Sequence, residues 1–168
     1  MILEPSEELQ VVYDKAVAIA MEHQHEYLTL EHLVLAMVID EKFSNFLENY
    51  PDGDLNYVRI NLEYFIKNNL SHIVETSKKT KPQKTQTVER CLNRAFTQVL
   101  FHGRQRIELN DLFLSILSEK KSYSVYYLGK AGFTKEKFSD YVDEETIHVD
   151  EENVGSGGID KLLAQYTI

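Results

Sequence analysis

Apolar residues recur at helical spacing along most of this chain. Leu9, Val12, Tyr13, Ala16 and Ala20 form one stripe behind Ser6, whose hydroxyl suits a helix N-cap. A short loop from His25 to Leu28 leads to Thr29, a second cap, with Glu31 in the first turn where the helix dipole favours an acid. Leu30, Leu33, Val34 and Met37 line that second helix. A third helix is expected over Lys42 to Tyr50, ended by the turn signal Pro51-Asp52-Gly53. Leu55, Val58, Leu62, Phe65 and Ile66 then make the buried stripe of a fourth.

The scheme then repeats. Residues 9–38 align with 88–117 without a gap at an offset of 79, pairing Ala16 with Ala95, His23 with His102, Leu30 with Leu109, Leu33 with Leu112 and Leu35 with Leu114. Five identities in 30 positions are few, but the apolar pattern around them also matches. Val88, Cys91, Leu92, Ala95 and Val99 line a fifth helix, and Leu109, Leu112, Phe113, Ile116 and Leu117 a sixth. A short helix around Ser124–Lys130 stops near Gly129 and Gly132; Thr134 caps a last one that buries Phe138, Tyr141 and Val142. No strand-period alternation is long enough to count. The expected fold is all-α: about eight helices in two pseudo-symmetric four-helix repeats.

Composition shifts mark the boundaries. The repeats take about 5–70 and 86–142, so 1–142 reads as one domain, with 71–85, rich in lysine late on, as a solvated connector. Residues 143–159 turn acidic and then Gly/Ser-rich, the composition of a flexible tether. Only nine residues, 160–168, follow it, which makes the chain read as a fragment.

Charge and cysteine content narrow the function. The net charge of −9 argues against nucleic acid as a partner, since phosphate neutralisation needs a basic face. Seven acids and one base in 143–168 account for −6 of it. No apolar run approaches the roughly 18–20 residues that cross a membrane. A single cysteine, Cys91, leaves no disulfide framework, and the acidic N-terminus MILEPSEEL is unlike an export signal, so a cytoplasmic location is expected.

Candidate chemistry is sparse. His23, His25 and His32, with Glu22 and Glu26, are the densest metal-capable set. Residues two apart on a helix point about 200° apart, so His23 and His25 chelate together only if the helix ends between them. A polar helix end without metal is the simpler reading, and His23 and His102, sharing a repeat position, suit hydrogen bonding of the turn. Cys91 on an apolar face reads as a buried small hydrophobe. Tyr123 to Leu128 offers an aromatic edge to unfolded substrates, and Gly155-Ser156-Gly157-Gly158 lacks the lysine of a phosphate loop.

The stretch His23-Gln24-His25-Glu26-Tyr27-Leu28-Thr29-Leu30-Glu31-His32-Leu33 resembles the H-x-H-E-x-x-T-x-E-H-L run of ClpA-type N-terminal domains. Phe101-His102 and Arg104 to Leu117 resemble that domain's second repeat, and Asp160 to Ile168 looks like the lead-in to the first ATPase domain of Clp unfoldases. The resemblance implies a non-catalytic substrate- and adaptor-docking domain, monomeric as a fragment, with no cofactor of its own. Its parent would be a hexameric ATP-driven AAA+ unfoldase that feeds the ClpP peptidase. It further implies that Glu26, Glu31 and Thr85 contact a ClpS-like adaptor. ClpC-type domains carry T-E-H in both repeats as paired phosphoarginine sites; here Asn110 stands where the second glutamate would be, so the likeness is to ClpA-type domains. The competing readings are a domain that regulates the motor and a metal-dependent hydrolase built on the His/Glu cluster.

Overall fold

Eight α-helices carry the fold in the computed structural model, which describes residues 3–76 and 81–157, with side chains as far as residue 146. They are α1 (Glu7–Glu22), α2 (Leu30–Ile39), α3 (Glu41–Phe46), α4 (Leu55–Asn68), α5 (Gln86–Phe101), α6 (Leu109–Leu117), α7 (Tyr123–Lys130) and α8 (Lys135–Gly157). The all-α expectation holds. The structure adds a 3-10 turn, Ser71–Ile73, and four two-residue strands: β1 (Glu4–Pro5), β2 (Tyr27–Leu28), β3 (Gln83–Lys84) and β4 (Arg106–Ile107).

The offset of 79 is kept in backbone detail. It carries α1 onto α5, β1 onto β3 and β2 onto β4, end for end. Ser6 and Thr85, 79 apart, cap α1 and α5 by accepting from the N–H groups of Leu9 and Val88 at 3.1 and 3.2 Å. The strands then exchange partners: β1 pairs with β4 and β2 with β3, both parallel. Each copy's lead-in strand therefore adds to the other copy's interhelical strand, and the repeats are laced together rather than placed side by side.

Residues 1–134 form one compact unit and 135–168 another. In the first, α2 is the core element. Eight of its ten residues are buried, because α1, α3, α4 and α7 all pack on it. α6 packs on α5 and α7, and α7 also lies on α4. The predicted stripes on α1, α4, α5 and α6 supply the core, with Tyr13, Leu55 and Leu92 only half-buried.

Two boundaries differ from expectation. The third helix ends at Phe46, not Tyr50, because Glu48 and Tyr50 bond three residues back and Tyr50 turns in to stack on Phe133, with ring centroids 4.6 Å apart. The acidic stretch from Asp143, expected as a tether, continues α8 to Gly157. No Gly or Pro interrupts the chain between Lys135 and Val154, so nothing there breaks a helix. Phe138 and Tyr141 of α8 are buried. The lead-in from Asp160 lies outside the described residues.

The repeat also exposes a strained position. α1 ends in a Schellman turn, with His25 N–H bonded to Ala20 C=O at 2.8 Å and Gln24 N–H to Met21 C=O at 3.0 Å. α5 ends in the same two bonds, from Arg104 and Gly103. The left-handed residue is Gly103 in the second copy (φ +70°) but Gln24 in the first (φ +57°). Gln24→Gly is expected to raise stability by about 0.5 kcal/mol, the relief of left-handed strain exceeding the added unfolded-state entropy. Urea unfolding checks it, and no gain in the midpoint would contradict it.

Candidate docking site

The β2–β3 ladder unites residues that the sequence keeps far apart. Glu26 is exposed, just before β2; its backbone carbonyl accepts from Gln83 N–H at 3.0 Å and its N–H donates to Ile73 C=O at 2.7 Å. Thr85 follows β3, and its N–H donates to Leu28 C=O at 3.1 Å. Glu26 and Thr85 thus flank one short ladder that joins the two repeats. The Thr85 hydroxyl is half-buried and committed to capping α5.

Glu31 is placed differently. It sits in the first turn of α2 and its Oε2 accepts from the hydroxyl of Ser124, a buried residue of α7, at 3.1 Å. Burial pushes its pKa up, and the Ser124 bond opposes that rise. The structure therefore sets exposed Glu26 and half-buried Thr85 at the two ends of one ladder and turns the Glu31 carboxylate toward α7. Sequence reasoning missed Ser124, because a contact spanning 93 residues leaves no periodic signal.

The histidines form a bonded chain. Thr29 N–H donates to His32 Nδ1 at 2.9 Å, so the His32 proton sits on Nε2 and is donated to His25 Nδ1, 2.8 Å away. His32 is fully buried and takes the place in the α2 capping box that an acid usually fills. His25 is nearly as buried. Desolvation, with neighbouring histidines adding to it, lowers His25 to about 4 and His32 to about 3. The ring of His23 stacks on His25 at 5.4 Å, and its Nδ1 bonds to the Ile19 carbonyl at 3.0 Å. His102 repeats that bond to Gln98 at 2.7 Å, so the shared histidine does tie the turn. Among the described residues no three His, Cys, Asp or Glu side chains group as a metal site.

At the positions of His25 and His32 the second copy carries Arg104 and Asp111, an ion pair with its second hydrogen bond at 3.1 Å. Asp111 Oδ2 also accepts from Glu108 N–H at 2.8 Å, as His32 does from Thr29. One bonding scheme is thus built twice, once neutral and buried and once charged and open. A further network escaped the sequence. Glu119, nearly buried, takes Arg90 at 2.8 Å and Arg94 at 3.3 Å, and Arg90 holds its carboxyl below the usual range. Cys91 beside it is buried, and desolvation pushes its thiol up to about 12, which leaves no nucleophile there. Tyr123 and Tyr126 of α7 are exposed, with Phe65 and Tyr127 against them.

The Clp repeat (R) N-terminal domain family matches residues 4–131. This protein belongs to that family. A protein of Fuscovulum blasticum described as a ClpA homolog is 29% identical over 130 residues, covering 77% of this chain but 16% of that protein. The chain thus spans about a sixth of the length of that relative. Two solved structures share the fold at low identity. The Hsp104 N-terminal domain from Candida albicans has a TM-score of 0.67 at 9% identity, over 82% of this chain and 88% of that one. The ClpD N-terminal domain from Arabidopsis thaliana has 0.62 at 13%, over 84% and 94%. The chain is thus a helical Clp repeat N-terminal domain, and no described helix is long and apolar enough to cross a membrane.

Proposed function

We propose that this domain docks a ClpS-like adaptor and some substrates for a cytoplasmic, hexameric ClpA-type unfoldase, which passes them through its ATPase pore to ClpP. The observation that carries the reading is the cross-repeat ladder, which has exposed Glu26 at one end and half-buried Thr85 at the other. An exposed carboxylate over a rigid backbone suits a basic group of an adaptor, since the ladder holds it in place before contact. Glu31 ties the start of α2, just after this ladder, to α7 through Ser124. Stiff presentation of this kind lowers the ordering cost of binding. Beyond the ladder, the exposed tyrosines of α7 offer apolar contact to substrate chains.

Isothermal titration with a purified ClpS tests it. Glu26→Lys is expected to weaken binding at least tenfold with an unchanged melting temperature, since Glu26 is exposed. Glu31→Gln, which keeps an acceptor for Ser124, is expected to have a smaller effect. Lack of binding by the unaltered domain at high micromolar concentration removes the adaptor reading.

A further inference from the structure

The stretch from Gln24 through β2 is bonded on both sides in the first copy. β3 lies along one flank, and the segment Ile73–Glu75 lies along the other. There Glu26 N–H donates to Ile73 C=O at 2.7 Å, Glu75 N–H donates to Gln24 C=O at 2.8 Å, and His25 and Val74 form an antiparallel bridge between them. The segment is the third strand of a small cross-repeat ladder.

The second copy follows the same backbone course. Gly103 is left-handed like Gln24, the Schellman bonds are the same, and Gln105 C=O accepts from Glu4 N–H at 3.2 Å as Glu26 C=O does from Gln83. The groups facing the other flank are therefore Gln105 N–H and Gly103 C=O, the equivalents of Glu26 N–H and Gln24 C=O. Among the described residues neither has a hydrogen-bond partner, and residues 101–106 are all exposed. One repeat beyond Ile73–Glu75 come Glu152, Asn153 and Val154, which belong to α8, so their backbone groups are used within a helix. Phe101, 86% exposed, and Leu100, 45% exposed, stand at the end of α5 immediately before this edge.

We propose that the edge Gly103–Gln105 is a strand-addition site that takes an extended, unfolded segment of a partner polypeptide. The segment runs antiparallel to the edge and reproduces the bonds of Ile73–Glu75. A residue of the guest faces Arg104; the carbonyl before it accepts from Gln105 N–H, and the N–H after it donates to Gly103 C=O. Main-chain bonding of this kind gives affinity with little sequence demand, and an apolar guest side chain gains contact on Phe101 and Leu100. The site is separate from the Glu26–Thr85 ladder and does not depend on what docks there.

The first copy supplies the probe. An acetylated, amidated peptide with the sequence of residues 71–76, SHIVET, is titrated into the 15N-labelled 168-residue protein. Saturable shifts are expected at the amides of Gly103, Arg104 and Gln105, with hydrogen exchange at Gln105 slowed at least tenfold. The same peptide N-methylated at its glutamate lacks the donor for Gly103 C=O and is expected to lose the response. Gln105→Pro removes only the outward N–H and keeps the carbonyl that Glu4 uses; it is expected to abolish the response with an unchanged helical spectrum. The proposal is overturned if these amides do not move at millimolar peptide, if the N-methylated peptide binds as well, or if the shifts centre on Gln24–Glu26 instead. The methylated-peptide arm decides the matter even where the proline variant fails to fold.

Discussion

Taking this protein from pH 7 to pH 5 is expected to remove about 3 kcal/mol of folding stability through two histidines alone. His25 and His32 are lowered to about 4 and about 3, whereas an unfolded histidine titrates near 6.5. In the window between, the unfolded state binds protons that the folded state refuses. A lowered histidine pKa therefore contributes stability that is present above pH 6.5 and is lost as pH falls toward the folded values. The geometry gives the cause. His32 Nδ1 already accepts from Thr29 N–H, so a proton there breaks the cap of α2, and a proton on His25 Nδ1 sets two donors face to face at 2.8 Å. Thermal melts at half-unit pH steps measure the slope. The double variant His25→Arg/His32→Asp installs the pair found in the second copy and is expected to flatten it between about pH 6.5 and 5. An NMR titration in which His32 becomes protonated near pH 6.5 would refute the assignment.

The comparison between copies also shows what a sequence discloses and what it withholds. Helical stripes such as Val58, Leu62, Phe65 and Ile66 were legible because burial repeats at the period of the helix, and all four are buried. His23 and His102 were legible as a turn-binding pair because the same residue recurs at the same offset. The partnership of His25 with His32 was not, although the alignment held the clue. An opposite-charge pair, Arg104 and Asp111, stands at those two positions in the other copy, which marks them as neighbours in space. The strands were invisible for a different reason. Two residues do not complete a period of alternation, and their pairing joins copies about 79 residues apart. The placing of Glu26 and Thr85 at the two ends of one ladder follows from that pairing, so the two could be named from family likeness but not placed there from the sequence. The Glu31–Ser124 bond left no trace at all, since neither residue departs from what an exposed helix start would carry.

Gly132→Ala is expected to cost about 3 kcal/mol, the largest effect of any single methyl group in this fold. Gly132 sits at φ +95°, where a side chain is strained whatever the space, and a Cβ there would lie 2.4 Å from the carbonyl oxygen of Asp52. That oxygen cannot retreat. The turn carrying it is fixed by Asp54 N–H bonded to Ala131 C=O at 2.9 Å and by the Tyr50 hydroxyl on the Gly132 carbonyl at 3.3 Å. Gly53, 79 residues before Gly132, approaches from the other side, with the rings of Tyr50 and Phe133 within 2.8 Å of its own missing Cβ. The turns between the third and fourth helices of the two copies thus close on one another through two glycines, and a methyl group on either pushes the repeats apart. Gly53→Ala meets ring edges rather than backbone and is expected to cost less, about 1–2 kcal/mol. Gly129→Ala is the internal control: it lies three residues earlier in α7 with nothing within 4 Å of its missing Cβ, so helix propensity should raise stability slightly. Denaturant midpoints for the three variants therefore carry the test. If Gly132→Ala and Gly129→Ala unfold together, the two copies do not close where the structure places them.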